Sequence, residues 1–120
     1  ITGASIARCC IVEDKYLPAR VNQHVSIIRT NDKALPKFVH AILVSKEYKE
    51  KLLEIGNGAT SRQAITKLQL EEFKIPLPTI AEQKKIVAEI EKIETKIATL
   101  EKQIANIPKQ KEKILKKYLN

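Results

Sequence analysis

The 120-residue sequence predicts an α+β fold: short strands with helices over residues 1–78, then a long coiled-coil α-helix over residues 79–120. Three observations predict it. The apolar runs at 5–12 and 21–29 have the length and β-branched content of strands. From Ile86 onward, apolar residues recur in alternating steps of four and three, the spacing of a coiled-coil seam. Between these regions stand Pro76 and Pro78, whose rings lock φ and bar the preceding residue from helical geometry. The junction is therefore stiff.

Residues 5–12 read as a largely buried strand, followed by the polar turn Glu13-Asp14-Lys15, with Tyr16-Leu17-Pro18 leading out of it. Residues 21–29 read as a second strand with Val25 and Ile27 on one face, and Asn31-Asp32-Lys33 as a turn. Pro36 suits the first turn of a helix, because its missing N–H has no intrahelical partner there. That helix is expected to run to about Ile55, with Val39, Ile42, Leu43, Leu52 and Leu53 as its apolar stripe and Gly56 as its stop. Residues 57–63 form a loop of small polar residues, in which Gly58 is a second flexible point. A short helix is expected from Thr66 to Phe73, because Thr66 and Gln69 have capping-box spacing. Lys74-Ile75-Pro76-Leu77 reads as a short strand or extended edge, where proline is tolerated.

Thr79 is a good N-cap for the last helix, with Glu82 at its third position. Its seam then runs Ile86, Ile90, Ile93, Ile97, Leu100, Ile104 and Ile107, and the same frame reaches Lys111, Ile114 and Tyr118. A helix of this length spans ~60 Å at about 1.5 Å per residue. Nothing in residues 1–78 is large enough to cover it, so a partner helix is expected. Pro108 removes one backbone hydrogen bond and predicts a kink or break near Ile104.

Composition narrows the function. The length suits about one domain. Ile1 stands in an apparent strand without an initiator methionine, so a piece of a longer protein is expected. The net charge of +8, from 22 Lys+Arg against 14 Asp+Glu, suggests a polyanionic partner. The excess is divided evenly, with 12 basic and 8 acidic side chains in residues 1–79 and 10 and 6 in the remainder. Cys9 and Cys10 are adjacent and alone, which fits small buried hydrophobes in a reducing cytoplasm rather than a disulfide or zinc site. No run approaches the ~18 apolar residues of a membrane span. His24 and His40 lack partners at metal-ligand spacing and read as structural polar groups. Asp32 with Glu47 and Lys49 resembles a nuclease pattern only superficially, since residues two apart on a helix face different ways. An enzyme is not indicated.

The loop Thr60-Ser61-Arg62-Gln63 is the best candidate site. It offers hydroxyls, a guanidinium fork and an amide, the groups that bond phosphates and base edges. Gly56 and Gly58 beside it allow close backbone approach. Arg8, Arg20 and Lys67 are candidate additional contacts. Lys109, Lys111, Lys113, Lys116 and Lys117 form a basic end that suits a helix C-terminus. The competing readings are a coiled-coil assembly module with no sequence-reading role, and a basic chromosome-associated protein without site preference.

Gly58-Ala59-Thr60 with Ile65, then Ile75-Pro76-Leu77-Pro78 and Glu82-Gln83-Lys84-Lys85-Ile86-Val87, resembles the end of a target-recognition domain in a specificity subunit of type I restriction–modification enzymes. Gly3-Ala4-Ser5-Ile6-Ala7-Arg8 and Asn22-Gln23-His24 fit the same family, although Ala7 stands where its early motif has a second glycine. The resemblance spans nearly the whole chain. It implies a partial target-recognition domain followed by a spacer helix, which binds one half of a split double-stranded DNA target and places a methyltransferase subunit over it. A restriction subunit can join such a complex. S-adenosylmethionine, ATP and magnesium would belong to those partners, not to this chain. The spacers of the family pair as antiparallel coiled coils, so two copies of this helix are expected to pair.

Overall fold

The computed structural model describes residues 6–58 and 64–119 and divides into two compact units, Ile1–Lys85 and Ile86–Asn120. In chain order the elements are a 3₁₀ turn at Asp14–Tyr16, α1 (Pro36–Val44), α2 (Lys46–Asn57), α3 (Lys67–Glu72) and α4 (Ile80–Leu119). No β-strand forms among the described residues. The fold is helical, and the α+β expectation is wrong.

The two expected strands show why. A strand needs a neighbour to receive its backbone hydrogen bonds. Residues 8–13 and 25–30 have no regular secondary structure. Val25 and Ile27, the expected buried face, are 51% and 53% exposed. Asn22 folds the start of the second run into a turn: its Oδ1 accepts the His24 N–H at 2.9 Å and its carbonyl accepts the Val25 N–H at 3.2 Å. Alternation marks residues able to line a pleat, and here no pleat is built.

The single helix expected from Pro36 to Ile55 is two helices. Ser45, at φ −63° and ψ 149°, leaves helical geometry between them. Its hydroxyl donates to the Ile42 carbonyl at 2.6 Å and its N–H to the same oxygen at 3.1 Å. Serine competes in this way for the carbonyls that a continuing helix uses. Leu43 and Leu52 of the expected stripe are buried, together with Phe38, which the stripe omitted. Leu43, Leu52 and Ile65 form the core, with Ala7, Cys9, Val39, Ile55, Leu70, Phe73 and Ile75 packed against it. Tyr48 meets Phe73 edge to face, with centroids 6.2 Å apart at 83°.

Gly56 is not the stop of α2, which continues to Asn57 and is capped by Gly58. Its role is close packing: a Cβ on Gly56 would collide with the Ile6 side chain and lie 3.3 Å from Ile65 Cγ1. Ala7 follows at φ 59°, in the left-handed region. A glycine carries no steric cost there, which gives a physical reason for the second glycine of the early motif.

The capping predictions hold. Thr66 caps α3, its Oγ1 accepting the Gln69 N–H at 3.2 Å while Gln69 Oε1 accepts the Thr66 N–H at 2.8 Å. Thr79 and Glu82 make the same exchange at the start of α4, at 3.3 and 2.9 Å. The break expected at Pro108 does not occur, and α4 runs through it as one 40-residue helix. The proline deprives only the Ile104 carbonyl of its donor. On a fully exposed stretch of helix, water can take that carbonyl.

Gln83, in the second turn's worth of contacts at the root of α4, is fully buried. Its Oε1 accepts the Leu35 N–H at 2.8 Å, and its Nε2 donates to the carbonyls of Lys33 at 2.9 Å and Pro78 at 2.8 Å. These bonds join the turn before α1 to the turn before α4.

Two outcomes follow from this geometry. Ala7→Gly should melt at or slightly above the parent, whereas Ala7→Val should lose on the order of 1–2 kcal/mol, because a β-branched residue is an outlier at positive φ; equal melting temperatures for all three would refute the strained turn. Hydrogen bonds from the Thr79 N–H and then its hydroxyl hold the Glu82 carboxyl below the usual glutamate range. Its contribution is therefore present above the unfolded pKa and lost as pH falls through the lowered folded value. An NMR titration of the Thr79 amide should show a midpoint below that of an ordinary glutamate, and a midpoint at the ordinary value would count against the charged cap.

Candidate nucleic-acid interface

Thr60, Ser61, Arg62 and Gln63 lie outside the described residues, but both flanks of their loop are placed. On one side α2 ends at Asn57, with the Gly58 N–H donating to the Ile55 carbonyl at 3.4 Å. On the other, the Ala64 N–H donates to the Gly56 carbonyl at 3.1 Å and Ile65 is buried. The loop is thus closed by a hydrogen bond across its stem and anchored by a core residue.

Lys67 is the first residue of α3, immediately beyond the Thr66 cap. Its side chain is 87% exposed, with Nζ 3.6 Å from Glu71 Oε1. An exposed pair at this spacing is weak and leaves the ammonium available. Arg8 is exposed between Ala7 and Cys9, both of which pack against the cluster that contains Ile65. Just before it, Ile6 packs on Gly56. The structure therefore brings Arg8 and Lys67 to the same small core that holds the loop stem. Arg20 does not join them: it is exposed on an irregular segment, and its neighbours Ala19 and Val21 are not among the residues packed in that cluster.

Beside the stem, Glu54, Ile55, Gly58, Gln69, Glu72, Phe73 and Lys74 line a shallow groove of about 620 Å³. Two carboxylates against one ammonium make it a poor place for phosphate. Among the described residues no group of His, Cys, Asp and Glu is arranged to hold a metal, and no helix is long and apolar enough to cross a membrane.

The family model for the type I restriction modification DNA specificity domain matches residues 1–109. The chain belongs to this family. Comparison with the curated proteins and with the solved structures returned no match. The match takes in the whole first unit and α4 as far as its Lys109.

Within a DNA specificity domain the other polar residues sort by geometry. Asn22 turns its side chain onto its own backbone, and Asn22, Gln23 and His24 are all exposed. His40 is structural, its Nε2 lying 3.3 Å from the Cys9 carbonyl. Cys9 is half-buried, and burial first, then the neighbouring Cys10, pushes its thiol up; Cys10 is exposed. Glu47 pairs with Lys51 at 2.6 Å on the surface of α2, away from any carboxylate–lysine constellation with Lys49.

Gln83 was missed as a structural residue. A signal for it existed: it stands three residues before Ile86, so it continues the apolar seam one step toward the N-terminus. A polar residue in an apolar phase is either a fault or a buried, fully bonded group.

Proposed function

We propose that this specificity domain reads one half of a bipartite DNA target and positions an adenine methyltransferase subunit over it, with α4 as the spacer between half-sites. The family match over residues 1–109 carries the reading. Two features support it. A loop rich in hydroxyl, guanidinium and amide groups stands on a pinned stem beside Arg8 and Lys67. A continuous 40-residue helix follows, of the same order as one or two ~34 Å turns of DNA. In this reading Thr60, Ser61, Arg62 and Gln63 supply base and phosphate contacts, and Arg8 and Lys67 supply backbone contacts. S-adenosylmethionine, ATP and magnesium belong to the modification and restriction subunits, and the complex works in the cytoplasm.

Self-association through α4 belongs to the same proposal. Its seam is bare, with Ile93 61% and Ile104 66% exposed. A long helix with an isoleucine stripe gains most of its stability by burying that stripe. A second helix of the same kind fits it.

Co-expression of the full-length protein with its modification subunit, followed by sequencing for methylated adenine, tests the reading. The expected result is methylation at a split motif that disappears without the specificity protein. A stable complex without such methylation would leave an assembly module. Deleting one heptad of α4 should shift the gap between the half-sites while leaving their bases unchanged; an unchanged gap would remove the ruler role. Arg8→Ala and Lys67→Ala should each reduce the slope of log affinity against log salt by about 0.9, the value of one phosphate contact. Unaltered slopes would take these two residues off the DNA surface.

A further inference from the structure

We propose that Gln83 is a positioning residue that sets how strictly the gap between the two half-sites is enforced. The inference rests on the reading of α4 as the spacer. Its starting point is the polar side chain that the fold buries completely at the root of that helix.

The Gln83 amide is bonded on both sides. Its carbonyl takes the Leu35 N–H, and its NH₂ reaches the carbonyls of Lys33 and Pro78, all at 2.8–2.9 Å. All three partners are backbone groups, so the contact reads main-chain position rather than side-chain identity. No other residue type reproduces it. A glutamate would present oxygen to two carbonyls. An asparagine is one methylene short, and an apolar side chain would leave the Leu35 N–H and two carbonyls unpaired in a dry site. Polar groups buried in this way hold one geometry because every small displacement breaks a bond that water cannot replace.

The position matters as much as the chemistry. Gln83 lies in the first turns of α4, flanked by the Thr79–Glu82 cap and preceded by Pro76 and Pro78. Cap, prolines and amide all act on the same few residues. A helix carries rotation of its first turn along its length. A change of ~5° at the root displaces a point ~40 Å along the axis by ~3.5 Å, about the 3.4 Å rise of one base pair. Loss of the amide should therefore blur the gap by a base pair without altering the bases read by the loop.

The test compares full-length protein carrying Gln83→Met with the parent, each co-expressed with the modification subunit. The substrates are a set of targets whose gap varies by single base pairs, and methylation and melting temperature are both read. The expected result is unchanged half-site bases, with methylation at gaps one base pair longer or shorter rising roughly ten-fold relative to the parent, which corresponds to about 1.4 kcal/mol less discrimination between gaps. A residue that only stabilised the fold would lower melting temperature and scale methylation at every gap alike, and that outcome would overturn the proposal. If Gln83→Met does not fold, Gln83→Asn keeps the amide but leaves it one methylene short of its three main-chain partners; a parental gap profile in that variant would likewise overturn it. A parent that methylates no split motif would bring down the spacer reading itself, a failure distinct from an unchanged gap profile.

Discussion

The structure of this specificity domain depends on one buried amide. Gln83 ties the turn before α1 to the turn before α4 through three backbone hydrogen bonds that bridge 48 and 50 residues of chain on one side and five on the other. The small core of Leu43, Leu52 and Ile65 packs α1, α2 and the approach to α3 without reference to α4. Apolar burial is non-directional and tolerates sliding, whereas hydrogen bonds at 2.8–2.9 Å have both length and angle. The constraint that defines where α4 begins is therefore polar.

Around that constraint the molecule divides its roles by burial. Residues that pack against the core hold the stem of the loop, and the cations near it are exposed. Gly56 shows how closely the two are linked: the space it leaves is filled by Ile6, and the chain then passes Ala7 at positive φ before presenting Arg8. A larger residue at Gly56 would displace the very segment that carries this arginine. Beyond Lys85 the balance changes. The second unit is a helix whose isoleucines face solvent. Its charges are nearly even from 86 to 107, three lysines against four glutamates, and then strongly basic, five lysines against one glutamate, from 108 to 120. Such a helix carries an apolar seam between charged faces.

The sequence by itself determined the features that depend on neighbours within four or five residues. Thr66 with Gln69 and Thr79 with Glu82 announce two helix starts, because a cap is closed by residues three apart. The steps from Ile86 to Tyr118 announce α4, because its period is local. The family was legible for a related reason: the glycines, prolines and glutamine that carry it are residues with special backbone or packing roles. Tertiary structure decided the rest. Whether the runs at 5–12 and 21–29 become strands depends on a distant partner, and none of their described residues is in a strand. Ser45 breaks a continuous helical pattern by bonding the Ile42 carbonyl, a choice that periodicity does not record. Pro108, a breaker on paper, is absorbed where water can reach the orphaned carbonyl. Of the candidate site, the residue types were readable, but that the chain beside Arg8 and Lys67 packs into the core of the loop stem while the chain beside Arg20 does not is a fact of packing. Gln83 is the clearest case: its phase in the seam marked it for burial, but only the folded chain supplies the three main-chain groups, from two separate turns, that make burying an amide favourable.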